Sequence, residues 1–431
     1  MVYSLGIRRE DKNKWERRTP IIPDHTKELK EKYGIETIVQ PSKIRTFSDE
    51  LYKINGAKIN EELSSNVIFA IKEIPIDFFQ SNKTYLFFSH TIKGQKNNMP
   101  MLKRMMDLKC NLIDYEKITD KKGRRLIFFG RYAGLAGMID SLWAFGQRMK
   151  WKGINNPFSE IKKTVDYDNL DDAKTHIKKI GIKIKKEGLQ DSLCPFIVGF
   201  AGYGNVSIGA QEVLDILPVK EISPKNIDKI KKNHSRNLIY KVVFKEEDIV
   251  EPISKGKKFD LQNYYKNPHL YQSIFNNYIN DISILMNCIY WNRQYPRLVT
   301  KNYIKNNYTD QNKLEIIGDI SVDINGAIEF TEKVTTPDNP VFVYNPINDK
   351  IIDGYENDGI VVMAVDNLPC ELPKESSNAF SKSLMNYIPY IVKADFSTDF
   401  NQLNLPDEIK KAVILYHGKL TPDYSYINKF L

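Results

Sequence analysis

Along the first third of the chain, short apolar runs alternate with amphipathic stretches. Tyr3–Ile7, Glu36–Val39, Val67–Ile71, Tyr85–Ser89 and Asn111–Asp114 read as strands. Between them the pattern predicts helices over Asp24–Tyr33, with Pro23 just ahead and Gly34 just after, and over Pro100–Lys109. Near-continuous apolar strands separated by helices predict an α/β fold with a parallel sheet. From Phe129, FGRYAGLAGMIDSLWAFGQR reads as a helix whose small residues Gly134, Ala136 and Gly137 permit close backbone packing, as expected of a helix crossing between two domains. Lys150–Gly188 is polar and lysine-rich, a connecting region with some helix.

A second α/β unit begins with the strand Pro195–Phe200, a glycine loop and a helix over Ser207–Leu217. Further strands are expected at Leu238–Phe244, Ile284–Tyr290, Leu314–Ile320 and Ile360–Asp366, with surface insertions at Glu251–Tyr265 and Lys301–Lys313. From Pro373 the chain is amphipathic, with helical signals near Ser377–Lys393 and Pro406–Tyr416. The expected organisation is therefore two domains. Residues 1–130, completed by 374–431, form an α/β domain, and residues 131–373 form a dinucleotide-binding domain with its connecting helix and linker.

Composition narrows the class. The 431 residues are 42% hydrophobic and 27% charged, which is ordinary globular usage. The most apolar stretch, Leu126–Gly146, is interrupted by Arg131 and Asp140, so no membrane span is expected. Cys110, Cys194, Cys288 and Cys370 stand far apart without a histidine cluster, which argues against a metal site or a disulfide scaffold and fits a reducing compartment. With the first strand at Tyr3, no leader is expected, and a soluble cytoplasmic protein is the expectation. The net charge of +9 comes from lysines mixed with acids, as in Lys27–Lys32 and Lys179–Glu187. That pattern fits a solvated surface and attraction of acidic ligands, with no nucleic-acid partner.

Three groups of residues carry candidate chemistry. In Val198-Gly199-Phe200-Ala201-Gly202-Tyr203-Gly204-Asn205-Val206-Ser207, an apolar strand turns into an apolar helix start, where backbone N–H groups can approach a pyrophosphate. The usual third glycine position holds Ser207. A ribose-binding acid is expected some twenty residues on. If Ser223 ends the next strand, no acid is there, and the preference leans to NADP(H), with NAD(H) the alternative. The second group is Lys72-Glu73 and Ser89-His90-Thr91, both at predicted strand ends, where open α/β sheets place ligands. Partial burial would lower the Lys72 pKa toward that of a useful general base, opposed by Glu73, and His90 is the candidate for the other acid/base. The third is a pair of arginine groups, Glu16-Arg17-Arg18 and Arg124-Arg125, suited to carboxylates.

Taken together, IRREDKNKWERRTP, IKEIP, KTYLFFSHTIK, LIDYEK, GRRLIFFGRYAGLAGMID, GNVSIGAQ and AVDNLP resemble the lysine–2-oxoglutarate reductase half of α-aminoadipic semialdehyde synthase. The chain is more distantly similar to fungal lysine-forming saccharopine dehydrogenases and to the alanine dehydrogenase/transhydrogenase superfamily. The resemblance implies two Rossmann-like domains with parallel sheets and an interdomain active-site cleft. It implies reductive condensation of L-lysine with 2-oxoglutarate to saccharopine, or the reverse, by a monofunctional enzyme that leaves the glutamate-forming step to a separate saccharopine dehydrogenase. Lys72 and His90 match the acid/base pair, Glu73 and Glu116 the carboxylates that tune it. Glu16, Arg18, Lys93, Arg125 and Phe129 match the substrate site. Gly202, Gly204, Asn205 and Val206 match the cofactor loop, joined by Ser223 and by Asp366 in the DNLP turn. The rivals are another amino-acid dehydrogenase of the alanine dehydrogenase type and a catalytically silent binding module of the same fold.

Overall fold

The computed structural model describes residues 3–309 and 313–431. The chain divides into two units, residues 1–129 with 373–431, and residues 130–372. In the first, β1 (Tyr3–Ile7), β2 (Ile35–Val39), β3 (Lys58–Ile59), β4 (Val67–Phe69), β5 (Thr84–Phe87) and β6 (Asn111–Asp114) form a parallel sheet in the order β3-β2-β1-β4-β5-β6. The inner strands β4, β5 and β6 are buried along their whole length, so apolar residues follow one another in Val67-Ile68-Phe69, Tyr85-Leu86-Phe87 and Leu112-Ile113 instead of alternating with polar ones. Neighbouring residues still serve opposite faces. Val67 and Phe69 pack with Phe380, Leu384 and Ile388 of the C-terminal segment, while Ile68 packs with Met101, Leu102 and Met105.

The C-terminal segment departs from expectation. The stretch Ser377–Lys393 is two helices, Pro373–Leu384 and Ile388–Lys393, the second starting just ahead of Pro389. In Pro406–Tyr416 only Asp407–Lys410 is helical, and Val413–Tyr416 is a strand pairing antiparallel with β6. Val413, Ile414 and Leu415 are all fully buried. A strand with both faces covered buries consecutive apolar residues, whereas one helix stripe does not.

The second unit holds β7 (Phe196–Ala201), β8 (Val219–Ile222), β9 (Ile239–Phe244), a ribbon of β10 (Val250–Pro252) with β11 (Tyr271–Ser273), then β12 (Ile284–Asn287), β13 (Ile316–Asp319), β14 (Val341–Asn345), β15 (Lys350–Asp353) and β16 (Ile360–Met363). Its sheet runs β15-β14-β16-β13-β12-β7-β9-β8, parallel except for the β14–β15 hairpin edge, which sequence reading missed. The ribbon and the helix Leu261–Lys266 structure the insertion at Glu251–Tyr265. The insertion at Lys301–Lys313 begins with the helix Lys301–Asn307, and its residues 310–312 lie outside the described residues.

Lys150–Gly188 is more than a connector. Its helix Leu170–Glu187 buries Leu170, Ala173, Ile177, Ile180 and Ile184, a spacing of three and four that makes one apolar stripe on the core. The small residues of the helix Gly130–Trp151 serve packing inside this unit. A Cβ on Gly134 would lie 1.9 Å from the Val206 carbonyl, and one on Gly209 would lie 2.0 Å from the Arg131 carbonyl. Two glycines thus let this helix and the helix Asn205–Leu214 meet backbone to backbone, which fixes the helix that follows the glycine loop. Among the described residues no helix is long and apolar enough to cross a membrane.

Candidate active site

In the first unit the candidate residues collect beyond the C-terminal ends of β1, β4, β5 and β6, the side on which parallel sheets present ligands. Lys72 follows β4 and is half-buried. Its ammonium has no hydrogen-bond or ion-pair partner among the described residues. Burial, then the Arg18 guanidinium and Lys12, pushes the Lys72 amine below its ordinary range, while Glu16 and Glu73 oppose the shift. His90 follows β5 with a left-handed backbone, φ 50°. Its Nδ1 lies 2.6 Å from Glu73 Oε1, and Lys12 Nζ donates to Glu73 Oε2 at 2.9 Å. Burial alone would raise the Glu73 carboxyl, but these two partners hold it well below the usual carboxylate range.

Arg18 is buried and gives two parallel hydrogen bonds to Glu16, Nε to Oε1 at 2.7 Å and Nη2 to Oε2. Its guanidinium carbon sits 4.3 Å from the Phe129 ring centroid, and Phe129 stacks on Phe380 at 4.5 Å. The structure thus joins Glu16, Arg18 and Phe129 in one stack. Arg125 pairs with Glu116 but is half-exposed, and Lys93 is exposed.

In the second unit Gly202 and Gly204 form the turn from β7 into the helix Asn205–Leu214. Gly202 has φ 93°, where a side chain is strained, and its N–H donates to the Phe244 carbonyl at 3.1 Å. A Cβ built on Gly204 meets nothing within 4 Å, so the space over the helix N-terminus is open. Asn205 is exposed and Val206 half-buried, and Asp366 is exposed in the turn beyond β16. Ser207 is buried and accepts from Gln211 Nε2 at 2.9 Å.

Ser223 requires a correction. It does follow a strand, β8, but β8 is the sheet edge, and β9 lies between it and β7. Ala201 pairs with Phe244, so the residue that follows the strand beside the glycine loop is Lys245, not Ser223. The apolar pattern marks β9, but β8 reads Val219-Lys220-Glu221-Ile222 without an apolar run, and nothing local gives the order of the two.

Models of alanine dehydrogenase/PNT N-terminal and C-terminal domains match residues 6–136 and 260–423. The chain belongs to the alanine dehydrogenase/PNT family. Within and around that family it is 36% identical to an α-aminoadipic semialdehyde synthase of Arabidopsis thaliana, over 98% of this chain and 41% of the relative. It is 27% identical to a Yarrowia lipolytica protein named saccharopine dehydrogenase [NAD(+), L-lysine-forming], over 88% of this chain and 90% of that one. The chain therefore spans less than half the length of the plant relative. A solved L-alanine dehydrogenase shares the fold, with a TM-score of 0.63 at 15% identity over 99% of both chains.

Two buried acids that sequence reading missed lie against these candidate residues. Glu10, three positions beyond β1, is buried, and its carboxylate accepts from the N–H groups of Ile71 (2.7 Å) and Lys72 (3.0 Å). Burial and the charge of Glu16 push Glu10 up to about 7, against the two amide bonds and Arg8. Asp114, at the end of β6, accepts from the Ser89 N–H at 3.0 Å, from the Ser89 hydroxyl, and from the Glu116 N–H at 2.8 Å. Asp114 ends its strand directly after Leu112 and Ile113, a signal that could have marked it, whereas Glu10 lies in a polar run.

Proposed function

We propose that the protein is a lysine–2-oxoglutarate reductase, that is, a lysine-forming saccharopine dehydrogenase, working on L-lysine, 2-oxoglutarate and saccharopine. The observation that carries the reading is the cluster of Lys72, Glu73 and His90 beside the buried Glu16–Arg18 pair. In the condensing direction the lysine ε-amine adds to the 2-oxo carbon, water leaves, and the resulting C=N bond takes up a hydride and a proton. An amine of lowered pKa at Lys72 accepts the proton that the attacking nitrogen must lose. His90, held by Glu73 at Nδ1, donates to the departing oxygen. Arg18, stacked on Phe129, supplies a fixed cation for a carboxylate. The open turn at Gly204 fits a dinucleotide pyrophosphate, with Gly202, Asn205 and Val206 around it. When bound, the reduced nicotinamide supplies the hydride. All four cysteines are free, three of them buried, which supports a reducing compartment such as the cytoplasm. A separate glutamate-forming saccharopine dehydrogenase would then consume the product.

The deciding assay is oxidation of NADPH and NADH with lysine plus 2-oxoglutarate, set against pyruvate plus ammonia. We expect turnover with the first pair and little with the second. Comparable rates with both would overturn the saccharopine assignment in favour of an alanine dehydrogenase-type activity.

For the nucleotide we propose a preference for NADP(H), set at Lys245 and not at Ser223. Lys245 is exposed directly beyond β9, beside Gly202. The next residue, Glu246, accepts hydrogen bonds from Tyr265 (2.6 Å) and Tyr203 (3.1 Å), and Asp248 accepts from the Lys245 N–H at 3.0 Å, which engages the carboxylates that would otherwise grip a ribose diol. Lys245→Glu should shift the NADPH-to-NADH ratio of dissociation constants toward NADH by on the order of tenfold, about 1.4 kcal/mol. Ser223→Glu should leave that ratio near parental. Fluorescence titration of both nucleotides reads the ratio, and a large shift with Ser223→Glu alone would return the choice to β8.

A further inference from the structure

We propose that the two buried carboxylates Glu10 and Asp114 are positioning residues that hold the backbone beneath Lys72 and His90. The proposal rests on the reading of those two side chains as the acid/base pair. The same device occurs twice in the sheet. Glu10 lies beyond β1 and ties the loop that follows the adjacent strand β4. Asp114 ends β6 and ties the loop that follows the adjacent strand β5.

Burying a carboxylate is costly unless hydrogen bonds replace its water. Neither acid has an ion-pair partner among the described residues. Glu10 spends its two oxygens on consecutive backbone N–H groups, one of them that of Lys72 itself. Asp114 takes both the N–H and the hydroxyl of Ser89, and that hydroxyl lies 2.8 Å from the Thr91 hydroxyl. Ser89 and Thr91 flank His90, so the bonds brace the chain on either side of it. His90 needs that brace, because a left-handed φ in a histidine persists only where its surroundings over-determine it. Asn98 Nδ2 adds a bond to the His90 carbonyl at 3.1 Å. Asp114 also accepts from the Glu116 N–H, so one carboxylate sets the backbone of His90's neighbour and of Arg125's partner together.

Glu10→Gln and Asp114→Asn test this in the full chain. Each keeps the side-chain volume but turns an NH2 group toward a donor that needs an acceptor. We expect kcat per nucleotide-binding site to fall by about 10²-fold in each. KM values and nucleotide affinity should change little. Competitive acylation with acetic anhydride, read by peptide mass spectrometry, measures the reactivity of Lys72 relative to the other lysines whether or not the protein turns over. In Glu10→Gln that ratio should move several-fold, and in Asp114→Asn it should not. Parental Lys72 reactivity in Glu10→Gln overturns the role of Glu10, and parental kcat in Asp114→Asn overturns that of Asp114. Absence of turnover by the parent chain would defeat the functional reading, while the acylation ratio would still decide the placement of Lys72. Should Asp114→Asn not fold, Ser89→Ala, which removes only the hydroxyl, should lower kcat several-fold, and parental kcat there overturns the brace.

Discussion

Lys72→Met should lower kcat by about 10²–10⁴-fold, the usual contribution of a general acid–base group. Methionine matches the length of the lysine stem and lacks only the amine. The half-buried site favours an apolar side chain, and the backbone bond from the Lys72 N–H to Glu10 survives the change. Folding should therefore be retained, and nucleotide affinity too, since the glycine loop belongs to the other unit. His90→Asn should lower kcat within the same range. Asparagine is chosen because it tolerates the left-handed backbone that His90 adopts. Loss of the imidazole also removes one of the two partners that hold Glu73 down, so the Glu73 carboxyl should titrate at a higher pH than in the parent. Steady-state kcat with lysine and 2-oxoglutarate, alongside nucleotide titration, checks both variants. A parental kcat in either variant removes that residue from proton transfer.

How far the sequence shows such a site depends on what kind of signal each part leaves. Lys72 and His90 stand out because a charged or titratable residue directly after an apolar run marks a strand end. The Glu16–Arg18 pair is legible as residues, but its burial under Phe129 is not, because contacts with Phe380 cross more than 250 positions of chain. Glu10 was lost in the polar run Arg8-Arg9-Glu10-Asp11-Lys12, whose composition reads as surface although Glu10 is 5% exposed. Strand order is a further limit. Local pattern places β9 along the chain and leaves the polar β8 equivocal, and only the pairing of Ala201 with Phe244 shows which adjoins the glycine loop. Val413–Tyr416 was misread for a related reason, since a short apolar run fits helix or strand until its partner β6 is known.

Gly204→Val should abolish nucleotide binding while leaving the fold intact. Gly204 has φ −77° and ψ −171°, an extended backbone that valine adopts readily. No protein atom lies within 4 Å of a Cβ placed there, so the side chain collides with nothing in the chain itself. As the residue preceding the helix Asn205–Leu214, with no side-chain cap to lose, it should cost the helix start only about 1 kcal/mol. The branched side chain would instead fill the space from which a pyrophosphate approaches the first N–H groups of that helix. A hundredfold or greater loss of affinity, about 2.8 kcal/mol, is the expected outcome for both nucleotides. Gly202→Ala supplies the contrast. Its φ of 93° and a Cβ position only 3.1 Å from Ile289 Cγ2 strain the turn itself, so that variant should lose stability together with binding. Nicotinamide fluorescence and thermal unfolding, measured on both variants, separate the two effects. Retained nucleotide affinity in a folded Gly204→Val protein would place the pyrophosphate elsewhere.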